Sequence, residues 1–288
     1  MSQFSWNSHC ALRVCTNPNS QNQGHHADIS ELRRAIEAGQ SIRLAKSGPI
    51  ATTGKSGQLF CETGGSTGTP KVIARSQASW IASFDINRDL FGITTADCVA
   101  VFGGLKHSLA LYAVIEAAHL GADICMLADL RPTAQCAELT HQNATLLYIT
   151  PTQLKLLTRT NAVCPNVRQI IIGGGAMLQR VRAAAKVSFP NAVLTQFYGA
   201  SETSFITMAN ANTPDGSVGS AYPNVTLQFT HADGTPHPFE GEIWIKSPYL
   251  FDGYDQGDSA DTQTKNGFVT VGELGRIDAA GNLFLRGR

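Results

Sequence analysis

The sequence is defined first by what it does not contain. Its 22 basic and 22 acidic side chains cancel, so it has no net charge at pH 7. That removes the basic footprint of a general nucleic-acid binder. Charged residues make up only 15% of a chain of 288 residues that is 43% hydrophobic, a balance that excludes long disorder. No apolar run is long enough for a membrane span: the most apolar stretch, Leu109 to Leu127, is broken by Glu116, His119 and Asp123. The N-terminus Met-Ser-Gln-Phe-Ser-Trp has no basic start leading into an apolar core, so it does not read as a signal peptide. Seven cysteines are scattered without a CxxC pair, which argues against a disulfide framework and against a zinc site. Cys10 and Cys15, with His25 and His26 downstream, read as ordinary thiols near a polar start. The expectation is a cytoplasmic protein with no nucleic-acid or membrane partner, long enough to bury a substantial core.

What is present is an alternation of short apolar runs with helical periods. Met1 to His26 is polar and reads as poorly ordered; a first helix, capped at Ser30, places Ile29, Leu32 and Ile36 on one face and stops at Gly39. Helices are predicted over Ser76–Phe91, His107–Leu120, Ala134–His141, Thr152–Thr160 and Leu178–Ser188. Between them lie predicted strands at Cys98–Phe102, Ile124–Leu127, Thr145–Ile149, Gln169–Ile172 and Val193–Tyr198. This order implies an α/β fold, a layered βαβ core with a largely parallel sheet. Beyond Thr203 the strand-like runs Val225–Thr230, Gly241–Ser247, Phe268–Val271 and Leu283–Leu285 are separated by turns, notably Asp233-Gly234. That tail reads as a small, mostly antiparallel β subdomain. The expected division is an N-terminal segment 1–57, a nucleotide-binding core 58–209 and a β-rich part 210–288.

Four segments have the composition of a ligand site. Thr63-Gly64-Gly65-Ser66-Thr67-Gly68-Thr69-Pro70-Lys71 follows the apolar run Leu59-Phe60-Cys61 and is expected to precede a helix. Its glycines let backbone N–H groups approach an anion, its hydroxyls add donors, and Lys71 adds a point charge. The loop suits nucleotide β- and γ-phosphates but is not a Walker A loop, because the GK[ST] ending is missing. No strand-terminal aspartate supports a P-loop NTPase either; Asp129 is the nearest imitation and reads as a loop or capping residue. Gln196-Phe197-Tyr198-Gly199-Ala200-Ser201-Glu202 ends a strand where open α/β sheets bind ligands. Tyr198 is placed to stack on a base and Glu202 to hold a magnesium ion; core packing is the competing reading for the aromatics. Gly173-Gly174-Gly175-Ala176 offers a flat surface to a planar ring. The fourth segment runs Val271-Gly272-Glu273-Leu274-Gly275-Arg276-Ile277-Asp278, ahead of Gly287-Arg288.

In this order, from Leu59 to Arg288, the segments resemble the adenylate-forming (AMP-binding) superfamily, which includes acyl- and aryl-CoA synthetases, adenylation domains and luciferases. The Thr63–Lys71 loop resembles the family's phosphate loop with its Pro-Lys ending. Tyr198–Glu202 resembles its Tyr-Gly-x-Thr-Glu, with Ser201 for threonine. Gly216-Ser217-Val218-Gly219 with Pro223, and Gly241-Glu242-Ile243-Trp244, resemble later family stretches. The resemblance implies activation of a carboxylic acid by MgATP to an acyl-adenylate, followed by transfer to the thiol of CoA or of a carrier protein. It implies that Thr63, Gly64, Gly65, Ser66, Thr67, Gly68, Thr69 and Lys71 bind the ATP phosphates. Ser201 would contact phosphate and Glu202 would ligate Mg²⁺. Gly174, Gly175, Ala176, Phe197 and Tyr198 would hold adenine, as in AMP, and Glu273 with Arg288 the ribose. Gly173, Gly199 and Ala200 would line the acyl pocket, with His107 beside the carboxylate as a third catalytic candidate; a structural or exposed histidine is the competing reading.

The sequence departs from the family in places. Glu273 stands where the family has aspartate. No acid lies next to His107, which disfavours an ammonium-bearing substrate and favours an aryl, alkyl or fatty acid. Gly287-Arg288 is where the family's hinge to a C-terminal domain begins, and the phosphate-loop strand starts early, at Leu59. The expected protein is therefore a ligase core that needs a C-terminal domain in cis or in trans. The alternative is a non-catalytic nucleotide binder or degenerate ligase remnant, or an interaction module that kept only the fold.

Overall fold

The computed structural model describes residues 3–16, 19–45, 48–52, 56–63 and 71–287, with only the backbone of Ser20, Ala45, residues 48–52 and Thr63. In chain order the first elements are β1 (Leu12–Arg13), α1 (Ser20–Glu37), β2 (Ser41–Ala45), β3 (Gly48–Thr52), β4 (Gln58–Thr63) and β5 (Lys71–Ser76). The α/β part continues with α2 (Gln77–Phe91), β6 (Cys98–Val101), α3 (Ser108–Leu120), β7 (Asp123–Met126), α4 (Pro132–His141) and β8 (Leu146–Ile149). It ends with α5 (Pro151–Thr158), β9 (Gln169–Ile172), α6 (Gln179–Ser188) and β10 (Val193–Ala200). The strand-rich part comprises β11 (Ser204–Ala209), β12 (Gly219–Ala221), β13 (Thr226–Thr230), β14 (Pro236–His237), β15 (Glu240–Lys246) and β16 (Gly253–Gln256). It closes with β17 (Gln263–Lys265), β18 (Phe268–Thr270), β19 (Leu274–Ile277) and β20 (Asn282–Gly287).

The fold is mixed α/β, with a large sheet that is parallel through its α/β half and a smaller, mainly antiparallel one. In the large sheet β1, β7, β6, β8, β9 and β10 run parallel. Strands β6, β8 and β9 are buried at every position, because helices cover both faces of a parallel sheet. From β10 onward the pairing is antiparallel, and the ladder runs without a break through β11, β12, β20, β19, β15 and β13. The small sheet has the order β16-β5-β4-β2-β3. Helix α3, buried at every residue from Ala110 to Ala118, contacts β6, β7 and β8 of one sheet and β4 of the other. Its apolar composition all round follows from having no solvent face. It ends at Gly121, whose φ of 87° is left-handed.

Two expectations are corrected. The first helix begins at Ser20, not at Ser30. Asn19 caps it by accepting from the Asn22 N–H at 2.8 Å. The fully buried Asn22 side chain donates to the carbonyls of Met126 and Ala128. The polar stretch is thus ordered by contacts with β7, more than a hundred residues away. Second, the glycine-rich loop does not lead into a helix. Strands β4 and β5 form an antiparallel ladder in which Thr63 pairs with Lys71, and α2 starts only after Ser76 caps it. Val72 and Ile73 are both buried, so β5 shows no clean alternation that would have marked it as a strand.

Between the two sheets, Glu116 of α3 is a fully buried carboxylate. It accepts from Tyr112 Oη at 2.9 Å, from Asn87 Nδ2 at 2.8 Å and from the Tyr148 hydroxyl. Burial pushes its carboxyl up to about 7, against the lowering effect of those donors. Between the ordinary value of 4.5 and about 7 the folded chain therefore holds a proton that the unfolded chain releases. Stability should fall as pH rises through this window, by roughly 3 kcal/mol for this group, and level off above it. Urea unfolding from pH 4.5 to 8 checks this: Glu116→Gln should flatten the slope, and an unchanged slope contradicts the assignment.

Candidate active site

The site forms where β9 and β10 end, the expected position for a ligand in an open α/β sheet. After Ile172 the chain enters Gly173-Gly174-Gly175. Gly173 is buried beneath the Phe197 ring; a Cβ there would lie 2.2 Å from Phe197 Cζ. Gly174 and Gly175 have φ of 79° and 156° and are exposed, as is Ala176. Gln196 Nε2 donates to the Gly175 carbonyl at 3.0 Å, which ties this loop to β10.

Neighbours on a strand point to opposite faces. Phe197 therefore turns towards the core, 4.8 Å from the Phe205 ring, and Tyr198 towards the other side, where its hydroxyl donates to Glu273 Oε2. The structure thus joins the base-stacking candidate Tyr198 to the ribose candidate Glu273, across 75 positions of sequence. It separates Phe197 from Tyr198 and places it in a cavity wall.

A register shift between Tyr198 and Gly199 marks a bulge, and the chain then makes a tight turn into β11. The Ala200 N–H donates to Thr203 Oγ1 at 3.1 Å and the Thr203 N–H to the Ala200 carbonyl at 3.2 Å. Ser201 and Glu202 sit on this turn. Glu202 Oε1 accepts from Tyr254 Oη at 2.8 Å, and that hydroxyl also meets Thr262 Oγ1 at 3.0 Å. Burial, with Glu202 adding to it, raises the Tyr254 phenol. Lys71 Nζ lies 5.7 Å from the centre of the Tyr254 ring. The lysine that ends the predicted phosphate loop and the predicted magnesium ligand therefore flank one tyrosine. Residues 64–70 of that loop, and Arg288, lie outside the described residues.

Beneath the turn is Arg75, only 1% exposed. It donates to Ser204 Oγ at 2.7 Å, to the Tyr249 carbonyl at 3.3 Å and to the Ser201 carbonyl, and stands 5.3 Å from the Trp80 ring. Burial pulls the guanidinium down to about 10, so it stays charged at neutral pH. It pins the strand that leaves the phosphate loop to the turn bearing Ser201 and Glu202. Arg75 and Tyr254 were missed in the sequence. Arg75 shares the buried face of β5 with Ile73, and a charge on such a face is a detectable signal. Tyr254 comes from β16, which crosses back to pair with β5, and no local pattern announces that.

Beside the turn lies a cavity of about 180 Å³, walled mainly by Trp80, Tyr112, Phe197, Phe205, Leu109 and Ile73. Gly174, Gly199, Ala200 and Ser201 border it as well. Of the predicted acyl-pocket residues, Gly199 and Ala200 line it, whereas Gly173 packs under Phe197. His107 is the N-cap residue of α3, without a side-chain capping bond, and is exposed; Ser108 and Leu109, which follow it, line the cavity instead. Partial desolvation against its neighbours, with Lys106 nearby, lowers its titration and favours neutral imidazole.

Among the described residues no group of three or more His, Cys, Asp or Glu is arranged to hold a metal ion. A single carboxylate such as Glu202 still fits Mg²⁺, which is commonly held by one or two carboxylates and the phosphates of a substrate. The seven cysteines are all buried; burial pushes Cys61, in the cavity wall, up to about 12, so it is a neutral thiol. No helix among the described residues is long and apolar enough to cross a membrane.

Comparison with known proteins identifies the family and the fold. The chain is 32% identical over 231 residues to the uncharacterized acyl–CoA ligase YhfT of Bacillus subtilis (strain 168), covering 78% of this chain and 47% of the relative. It is 28% identical over 235 residues to 2-succinylbenzoate–CoA ligase of Bacillus velezensis, again over 78% and 47%. The chain thus spans about half the length of the curated relatives it matches. Its fold is similar to that of o-succinylbenzoate coenzyme A synthetase (MenE) from Bacillus subtilis in complex with ATP and magnesium ion. That likeness has a TM-score of 0.70 at 23% identity and covers 79% of this chain and 49% of the other. The family described as AMP-binding enzyme matches residues 25–255. With four fifths of its length inside that match, the chain belongs to the AMP-binding enzyme family.

Proposed function

We propose that this chain is the nucleotide- and acid-binding core of an enzyme that activates a carboxylic acid with MgATP, forming an acyl-adenylate and pyrophosphate for transfer to CoA or a carrier-protein thiol. The observation that supports it best is convergence. The Gly174–Ala176 loop, the Tyr198–Glu202 turn, Glu273 and Lys71 gather beside an apolar cavity bordered by the same turn. In this reading Tyr198 and the Gly174–Ala176 loop hold adenine and Glu273 the ribose. Lys71 and the loop before it neutralise the β- and γ-phosphates, Ser201 touches phosphate and Glu202 holds Mg²⁺. The carboxylate lies at the Ser201 end of the cavity, and His107, outside the lining, takes no part in holding it. The protein's contribution is positioning and charge neutralisation. A C-terminal domain, in the same polypeptide or separate, completes the site.

The test is thermal denaturation with millimolar MgATP. The melting temperature should rise, as for any ligand that binds only the folded state. Lys71→Ala and Glu202→Ala should each remove most of the rise. No rise in the unaltered chain rejects the proposal. Acid-dependent pyrophosphate exchange, with a C-terminal domain supplied, separates a ligase core from a nucleotide binder without catalysis.

A further inference from the structure

The relatives do not agree on an acid: the names of others include putative long chain fatty acid–CoA ligases of Staphylococcus species. The cavity itself is more specific. No Asp, Glu, Lys, Arg or His lines it among the described residues. Its closed end is formed by Trp80, Tyr112 and Phe205, each about 5% exposed or less, and its open end by the exposed backbone of Gly174 and Gly199. The rings meet edge to face: Tyr112 stands 5.2 Å from Trp80 and 5.2 Å from Phe205, and Phe205 4.8 Å from Phe197. Edge-to-face walls of this kind accept a further ring.

At the closed end the Tyr112 and Ser204 hydroxyls are already used. Tyr112 Oη is bonded to Ser83 Oγ at 2.6 Å, Asn87 Nδ2 at 3.0 Å and Glu116 Oε1 at 2.9 Å. Ser204 Oγ accepts from Arg75. A polar group on the far end of a substrate would find at most the Trp80 indole N–H there and would lose most of its water. Size decides the rest. A dry cavity of about 150 Å³ holds a benzene molecule, and this one measures about 180 Å³. A chain of palmitate length would leave most of its methylenes outside it, in water.

We propose that the acid taken by this chain is a compact, apolar monocarboxylate of one-ring size, such as an arylacetate or a six-carbon alkanoate, and neither a long-chain fatty acid nor a dicarboxylate. This rests on the reading of the cavity as the acid site. The experiment is isothermal titration of the chain, in the presence of MgATP, with phenylacetate, hexanoate, palmitate below its micellar concentration, and phthalate. Phenylacetate and hexanoate should bind at least tenfold more tightly than palmitate or phthalate. Leu109→Phe, which fills the cavity from a half-buried position, should weaken phenylacetate at least tenfold and leave the MgATP-induced rise in melting temperature unchanged. Palmitate or phthalate binding as tightly as phenylacetate overturns the proposal. So does indifference to Leu109→Phe, or no acid binding while the MgATP rise is intact. Loss of the MgATP rise in the unaltered chain instead rejects the underlying functional reading, and this proposal with it.

Discussion

Gly199→Ala should abolish the MgATP-induced rise in melting temperature and destabilise the chain by several kcal/mol. A Cβ on Gly199 would lie 1.7 Å from the Ser204 carbonyl oxygen and 2.9 Å from its carbon. No rotamer relieves this, because both atoms belong to the backbone. Either the turn between β10 and β11 opens or the bulge at Tyr198/Gly199 is lost. In both cases Tyr198 and Glu202, on either side of Gly199, move off Glu273 and Tyr254, the partners that orient them. Overpacking in a well-filled interior costs about 1–3 kcal/mol, and a clash with rigid backbone lies at or above the top of that range. Thermal melting with and without MgATP reads both effects. A variant that melts and responds like the parent chain would show that the turn does not depend on this close approach.

Arg75→Met should lower stability by about 3 kcal/mol or more. Methionine fills part of the volume but removes every donor. The carbonyls of Ser201 and Tyr249 and the hydroxyl of Ser204 then lose a charged partner in the interior. Each unsatisfied buried group costs roughly 1–3 kcal/mol. Arg75→Lys keeps the charge but not the planar fork, so it should recover only part of the loss. Chemical denaturation of the three proteins checks the order: Arg, then Lys, then Met. If methionine is as stable as arginine, the pin between β5 and the turn is of no energetic consequence. Because Arg75 touches the turn and not the bound molecules, Arg75→Lys should weaken the MgATP response while the cavity keeps its preference among acids.

The layered core was legible because its elements announce themselves locally. The runs Cys98–Val101, Leu146–Ile149 and Gln169–Ile172 are short and apolar, as strands buried on both faces must be, and amphipathic or capped helices lie between them. The candidate site was legible as segments: glycines where backbone must approach a partner, a tyrosine and a carboxylate at a strand end. The first turns of α1 and the strand β5 were misread. Asn19 and Asn22 are polar by composition yet are partnered by carbonyls at the end of β7 and just beyond it, and β5 is too short and mixed to stand out beside a glycine-rich loop.

The sequence alone determined which chemistry-bearing residues the protein has, the α/β alternation that brings them to strand ends, and the family they resemble. Those depend on side-chain type, periodicity and spacing, which are properties of neighbours in the chain. Only the tertiary structure decided that Tyr198 meets Glu273, that Tyr254 stands between Lys71 and Glu202, and that Arg75 ties the turn to β5. It also decided that Trp80, Tyr112, Phe197 and Phe205 close around one small uncharged cavity. Each of these joins elements far apart in sequence through packing and hydrogen bonds, and no local pattern encodes such a pairing.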